Sequence, residues 1–124
     1  MSIYVAGSLA FDRIMSFNGA FADHSLADKL HILNVSFLID GLVEKRGGCA
    51  GNIAYTLALM GEKPLILATA GKNFSEYGAF LESKGISLEG VRVMKDEFTA
   101  SCTLITDKNN NQINGSNPAA TGFP

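Results

Sequence analysis

The sequence of 124 residues contains no tryptophan, two cysteines and three prolines, and these scarcities narrow what the protein can be. Cys49 and Cys102 are far apart and form no C-x-x-C pair, which argues against a disulfide framework or a zinc site. Charge is scarce as well, because charged residues make up 18% of the chain and the formal net charge is −2. Lys45-Arg46 is the only adjacent cationic pair. We therefore expect neither nucleic acid nor an anionic membrane surface as a partner.

Long apolar runs and a cationic leader are also missing. No stretch approaches the roughly 20 apolar residues that a membrane-spanning helix needs. The segment Met1–Gly7 lacks the cationic start of a signal peptide, so the expected location is the reducing cytoplasm. What the sequence does have is 47% hydrophobic residues, enough to form the core of one domain.

Apolar strands and helices alternate along the chain. Ile3–Ala6 and Pro64–Ala70 are continuous apolar runs, which are typical of strands buried on both faces. Helices are predicted over 49–60, with Gly61 ending the helix, and over 75–84, with Ser75 as N-cap. This alternation predicts βαβ units and a parallel sheet. The residues assigned to the inner faces of the helices are Ile53, Leu57 and Met60 in the first, and Tyr77 and Leu81 in the second.

Three other segments alternate apolar and polar side chains. They lie around 10–21, 31–46 and 99–114, with a turn predicted at Asn18-Gly19. Half-polar strands do not fit a parallel core that is covered on both faces, so we assign them to a small second sheet that forms a lid. Residues 115–124 are expected to be a loop or a frayed tail.

The strongest chemical signal is the segment Arg46–Ala54, a glycine-rich turn that opens directly into a helix. Glycine allows a ligand to approach the backbone closely. The start of a helix also presents unpaired N–H groups and a partial positive charge, which suit hydroxyls or an anion. A tight turn that packs a helix on a sheet explains the segment equally well. Neither a Walker loop nor a Rossmann fingerprint is present.

A second signal is the segment Gly7–Asp12, which follows the first strand. Ligands of open α/β sheets bind beyond the carboxyl ends of the strands. A carboxylate placed there can accept hydrogen bonds from two neighbouring hydroxyls of a sugar. Taken alone, an aspartate that caps a turn is the better explanation.

Together the two segments resemble the ribokinase-like, or PfkB-type, carbohydrate kinases, and most of all the bacterial and archaeal adenosine kinase-type members. The resemblance implies an α/β fold, namely a partial three-layer α/β/α sheet with a small β-sheet lid, over about residues 1–114. The elements that carry the resemblance are Gly7-Ser8 before Asp12, Leu33–Leu38, Gly47-Gly48 before Asn52, Thr99-Ala100 before Thr106-Asp107, and Asn111–Ile113.

The resemblance also implies a substrate site. In it Asp12 and Asn52 would bind sugar hydroxyls, while Ser36 would come from the lid and contact the base or the far end of the acceptor. The substrate-binding residues implied are Ser8, Asp12, Ser36, Gly47, Gly48 and Asn52. The family uses ATP and Mg²⁺ as cofactors, and we expect neither to bind this chain alone.

The sequence departs from the family because it lacks the family's catalytic segment. The catalytic aspartate of the family lies in a Gly-Ala-Gly-Asp turn late in the chain, and no such turn occurs here. We therefore expect acceptor binding, of an adenosine-like nucleoside or a sugar, without phosphoryl transfer. Where adenosine-specific members place aromatic side chains around the base, this sequence has Cys102 and Ser116, with Phe98 the nearest aromatic residue.

A different function also fits the sequence. An incomplete α/β sheet exposes a pairing edge, and such edges recruit partners. The chain would then be a non-catalytic ligand-binding or self-assembling module, with a homodimer formed through the lid or the exposed edge of the sheet.

Overall fold

The computed structural model describes residues 2–24, 31–32 and 34–122. Neither helix in this part of the chain has the length and apolar character needed to cross a membrane. Two short 3₁₀ turns, Phe21–His24 and Ala119–Gly122, accompany the regular elements. These elements are β1 (Tyr4–Ala6), β2 (Ala10–Ser16), β3 (Gly41–Gly47), α1 (Cys49–Leu59), β4 (Leu65–Gly71), α2 (Ser75–Ser83), β5 (Val91–Met94), β6 (Ala100–Thr106) and β7 (Gln112–Asn117).

The central sheet is parallel, in the order β1-β4-β5, with Val5 beside Ile66. Val5, Ile66 and Ala70 belong to one buried core, which also contains Tyr77 and Leu81 of α2. The predicted α/β class is therefore confirmed, because alternating strands and helices bury one continuous apolar layer between them.

Among the described residues, the opposite face of the central sheet is covered only near the end of β4, where Thr69 bonds to Ala120 of the second 3₁₀ turn. Tyr4 and Leu67, which are 63% and 44% exposed, lie on this face. Within the same residues, β1 pairs with a strand on one side only. The predicted three-layer sheet is thus present in part, as one sheet with helices on one face.

The second sheet is the predicted lid, in the order β3-β2-β6-β7. Strand β2 is antiparallel to β3 and parallel to β6, so it lies inside the sheet. Its register places Asp12 opposite Lys45 on one side and Cys102 on the other. Strands β6 and β7 form the expected hairpin between 99 and 114.

The connection between β2 and β3 differs from the prediction. Strand β2 ends at Ser16, and β3 begins only at Gly41. The chain between the two strands contains a cluster of aromatic rings. The ring centroid of Phe37 lies 4.8 Å from that of Phe17 and 4.9 Å from that of Phe21. The strand predicted over 31–46 is therefore restricted to β3, and its position 33 lies outside the described residues.

The predicted turn at Asn18-Gly19 does not close a tight hairpin. The backbone N–H of Asn18 instead donates to the Asp40 carboxylate, at 2.9 Å. The backbone N–H of Lys108 donates to the Gly19 carbonyl at 3.0 Å. Tertiary hydrogen bonds have replaced the local pairing that an Asn-Gly pair favours.

The expected tail is ordered as far as Gly122. Strand β7 continues to Asn117, and Ala120 in the second 3₁₀ turn is fully buried. The Ala120 N–H donates to the Phe98 carbonyl at 3.0 Å, and the Thr69 hydroxyl donates to the Ala120 carbonyl at 2.6 Å. Both hydrogen bonds use backbone groups of Ala120, so the side chains of this segment do not reveal them. Positions 123 and 124 lie outside the described residues.

Of the inner face predicted for α1, Leu57 is partly buried and packs against the core, whereas Ile53 and Met60 do not. Ile53 and Met60 are 51% and 73% exposed. The buried positions carry small side chains, because α1 lies too close to its neighbours for larger ones. The residues that α1 buries are Ala50, Gly51 and Ala54. Gly61, with φ of 89°, follows the end of the helix as predicted.

Helix α2 has the predicted inner face, since Tyr77 and Leu81 are 2% and 0% exposed. Its start differs, because Phe74 occupies the N-cap position without a side-chain hydrogen bond and Ser75 is the first helical residue. Gly85, with φ of 79°, follows the helix.

Candidate functional site

The Gly47-Gly48 turn connects the end of the lid strand β3 to the start of α1. Gly48 has φ of 90° and ψ of 144°, a conformation that is almost exclusive to glycine. A Cβ atom at Gly48 would lie 2.4 Å from the Ser8 carbonyl oxygen. The turn is therefore in direct backbone contact with the connection between β1 and β2.

Ser8 caps the start of α1 from a distant part of the chain. Its hydroxyl accepts a hydrogen bond from the Cys49 N–H at 3.1 Å, and its carbonyl accepts one from the Ala50 N–H at 3.0 Å. These donors, which the sequence suggested were open to a ligand, are thus used by the protein itself. The Ser8 hydroxyl also lowers the pKa of the exposed Cys49 thiol by hydrogen bonding.

Asp12 lies against the glycine turn. A Cβ atom at Gly47 would be 2.6 Å from Asp12 Oδ2, so the missing side chain of Gly47 leaves room for the carboxylate. Asp12 is half-buried on β2. Ser8 and Asp12 therefore meet Gly47 and Gly48, which come from a distant segment of the sequence, at one place. A half-buried carboxylate can accept hydroxyl hydrogen bonds from a small ligand.

Asn52 and Ser36, the other two predicted site residues, differ in how they are connected to this cluster. The Asn52 N–H donates to the Gly48 carbonyl at 3.0 Å, and the exposed Asn52 lies in the first turn of α1. It lines a cavity of about 450 Å³ between α1, α2 and β3. Ser36 is exposed on the segment before β3, and within the described chain it forms no hydrogen bond with the other predicted site residues.

Ser8 lines a second cavity of about 500 Å³ on the face of the central sheet opposite the helices, together with Thr69 and Arg92. Among the described residues, neither cavity is lined by both Asp12 and Asn52. The structure therefore brings four of the predicted site residues together and places Asn52 one helical turn away, while in the described part of the chain no hydrogen bond joins Ser36 to them.

On the lid side of the cluster, Cys102 is the neighbour of Asp12 on β6. The Ser116 hydroxyl on β7 donates to its sulfur at 3.4 Å. Phe98 is 55% exposed, and the Lys72 ammonium lies 4.2 Å from the centre of its ring. On the β6 side, the surface near Asp12 is therefore formed by Cys102 and Ser116, whereas Lys45 lies opposite Asp12 on the β3 side.

Sequence reasoning missed one residue of this region. Tyr77, assigned only to the core, donates its hydroxyl to the Gly47 carbonyl at 2.7 Å. Burial raises the pKa of Tyr77 to about 12, against the opposing effect of the Arg46 charge and with a contribution from Asp12. The available signal was a tyrosine at a buried helical position, because a buried phenol needs a hydrogen-bond partner.

The family model for pfkB carbohydrate kinases matches residues 13–123. The match covers most of the chain, and the chain therefore belongs to this family. Its start at residue 13 leaves Ser8 and Asp12 outside, so their assignment depends on the resemblance and the geometry described above.

The most similar proteins include nucleoside kinases. The chain is 34% identical over 82 residues to a nucleoside kinase of Methanothermobacter thermautotrophicus, covering 64% of this chain and 26% of that protein. The ligand-free nucleoside kinase of Burkholderia thailandensis is 40% identical with a TM-score of 0.79, over 96% of this chain and 40% of that one. The nucleoside kinase of Methanocaldococcus jannaschii is 25% identical with a TM-score of 0.80, over 96% and 37%. The chain thus spans well under half the length of these relatives.

Proposed function

We propose that this chain is the acceptor-binding part of a kinase that transfers a phosphoryl group from ATP to a hydroxyl of a nucleoside or sugar. The observation that carries the proposal is the contact of Asp12 with a glycine turn that Ser8 fixes in place. Similarity to the Burkholderia nucleoside kinase, whose structures include an inosine complex at 38% identity, favours a nucleoside.

The proposed binding mode follows from hydrogen-bond chemistry. The Asp12 carboxylate accepts bonds from neighbouring hydroxyls of a ribose, and charge-assisted bonds of this kind are the stronger ones. Asn52, which carries both a donor and an acceptor, binds a further hydroxyl. The bare backbone of Gly47-Gly48 allows the sugar to come close.

Discrimination between bases is expected to be weak. Stacking on an aromatic side chain contributes roughly 1–3 kcal/mol per base. Cys102, which lies next to Asp12, and Ser116, which lies next to Cys102, supply no aromatic surface. We propose that Ser36 approaches the base from the segment before β3.

ATP and Mg²⁺ would be bound by other parts of the kinase. Another solved form of the Burkholderia nucleoside kinase contains ADP-inosine, at 40% identity to this chain. The present sequence has no Gly-Ala-Gly-Asp turn. We therefore propose that this chain binds and orients the acceptor hydroxyl and that the lid keeps water away from it, while phosphoryl transfer needs further segments.

The test is calorimetric titration of the chain with inosine, adenosine, ribose and ATP. We expect saturable nucleoside binding that Asp12→Asn weakens at least about tenfold, equivalent to about 1.4 kcal/mol. Asp23→Asn is the matched control, because Asp23 is exposed in the first 3₁₀ turn, and it should leave affinity unchanged. Absence of nucleoside binding, or equal binding by the Asp12 variant, would contradict the proposal.

A second candidate function is self-assembly through the central sheet. It is favoured by the side of β1 on which no described strand pairs, and by the exposure of Tyr4 and Leu67 on the same sheet. A homodimer would cover this apolar surface, and Leu67→Lys would dissociate it, whereas Leu59→Lys on the exposed face of α1 would not. Light scattering that gives a monomer at all concentrations for the unmodified chain would exclude this function.

A further inference from the structure

Tyr77 lies beneath the glycine turn, although the proposed function assigns it no role. Its ring packs in the core between Phe11 and Phe74, with centroids 5.6 Å and 5.3 Å away. Only 2% of the residue is exposed. The hydroxyl points out of this packing toward the Gly47 carbonyl, 2.7 Å away.

The missing side chain of Gly51 in α1 leaves the space in which the Tyr77 hydroxyl reaches that carbonyl. A Cβ atom at Gly51 would be 1.9 Å from Tyr77 Oη, which no real structure would accommodate. The same Cβ atom would be 3.1 Å from the ring carbon Cζ, a distance that a small shift relieves. Gly51 is therefore compatible with this hydrogen bond in a way that alanine is not.

The hydrogen bond satisfies a carbonyl that is away from water. Gly47 is buried, and a buried carbonyl without a donor is destabilising. A tyrosine hydroxyl is protonated at neutral pH, and burial, which raises the pKa of Tyr77 to about 12, keeps this one protonated and able to donate well above neutral pH. Phenylalanine would fill the same space in the core, so core packing explains the aromatic ring at position 77 but not its hydroxyl group.

We propose that Tyr77 is a positioning residue of the acceptor site, which fixes the Gly47-Gly48 turn from below through its bond to the Gly47 carbonyl. Asp12 lies against Gly47, so any rotation of that peptide changes the surface on which the carboxylate rests. Ser8 fixes the other end of the turn through Cys49 and Ala50. The link to acceptor binding depends on the proposed function, whereas the fixing of the turn does not.

The first test measures the turn itself, without a ligand. In Tyr77→Phe, we expect hydrogen–deuterium exchange over 48–52 to accelerate at least about tenfold, while α2 exchanges as before. Tyr55→Phe is the matched control, because Tyr55 lies on α1 and its hydroxyl forms no hydrogen bond within the described chain. Unchanged exchange in Tyr77→Phe would overturn the inference.

The second test uses the gap at Gly51. Gly51→Ala alone should lower the unfolding midpoint, since the methyl group displaces the phenol. Adding Tyr77→Phe removes the colliding oxygen, so the double variant should be more stable than Gly51→Ala alone. If the double variant is destabilised by at least the sum of the two single effects, the contact between position 51 and the Tyr77 hydroxyl does not determine the conformation of the turn.

The third test connects the turn to the acceptor. Tyr77→Phe should weaken nucleoside affinity about tenfold, while Tyr55→Phe leaves it unchanged. Faster exchange with unaltered affinity would overturn the positioning role. If the unmodified chain binds no nucleoside, the proposed function fails, and the exchange and double-variant results still decide whether Tyr77 fixes the turn.

Discussion

Gly48 is a position at which a single added methyl group is expected to destabilise the protein sharply. In Gly48→Ala, the new Cβ atom would lie 2.4 Å from the Ser8 carbonyl oxygen and 2.9 Å from the Ala10 nitrogen. Both atoms belong to the backbone, so neither can move by a side-chain rotation. The residue also has φ of 90°, which alanine adopts only under strain.

The magnitude follows from these terms. Backbone strain at such a position costs about 1–3 kcal/mol. Displacing Ser8 would break its bonds to the N–H groups of Cys49 and Ala50, at about 0.5–1.5 kcal/mol each. Reduced freedom of the unfolded chain offsets about 0.4–1 kcal/mol. The expected net destabilisation is about 2–5 kcal/mol, a large share of the roughly 5–15 kcal/mol typical of a domain.

Two control variants distinguish backbone strain from steric overlap of the added methyl group with its neighbours. Gly61 has φ of 89° but no atom within 4 Å of its would-be Cβ, so Gly61→Ala reports strain alone, about 0.5–1.5 kcal/mol. Gly115 also has open space, without a positive φ, so Gly115→Ala should be neutral or slightly stabilising.

Urea unfolding followed by circular dichroism gives the three free energies on one scale. The expected order of destabilisation is Gly48→Ala, then Gly61→Ala, then Gly115→Ala. Equal destabilisation by Gly48→Ala and Gly61→Ala would refute the contact between the turn and Ser8.

The remaining predictions concern the core and the hairpin loop. Leu81→Ala, at a fully buried position, should cost about 2.7–5 kcal/mol in thermal unfolding, and Leu59→Ala, where Leu59 is 68% exposed, should cost below about 0.5 kcal/mol. Similar losses would contradict the assigned core. At Asp107, burial raises the pKa, but hydrogen bonds from Phe21 and Asn111 outweigh it and leave the pKa lowered. The stability that Asp107 contributes is therefore present above the ordinary carboxyl pKa and lost as pH falls through the lowered value. Urea midpoints measured from neutral to acid pH should depend less on pH in Asp107→Asn, and an unchanged acid slope would contradict this account.

Local patterns predicted the elements whose environment is regular. The spacing of Tyr77 and Leu81 identified the inner face of α2, because one apolar stripe packs against one sheet. Gly61 marked the end of α1, since a positive φ is needed there. The hairpin of β6 and β7 followed from alternating strands with a polar loop between them.

The same patterns failed where packing departed from periodicity. In α1 the larger apolar residue Ile53 faces solvent, while Ala50 and Gly51 face the core. Hydrophobicity predicts the largest apolar side chains to be inside, but the distance between helix and neighbours decides which sizes fit. The ordered turn around Ala120 escaped prediction because backbone hydrogen bonds form it.

The sequence by itself determined the alternation of strands and helices, the glycine turn and the position of Asp12 after the first strand. These are local features, set by residues a few positions apart. Only the tertiary structure decided that Ser8 caps α1, that Asp12 rests on Gly47 and that Tyr77 donates to the turn. Each of these contacts joins residues about 30 or more positions apart, and no periodicity along the chain encodes such distances, because they depend on how sheets, helices and lid pack against one another.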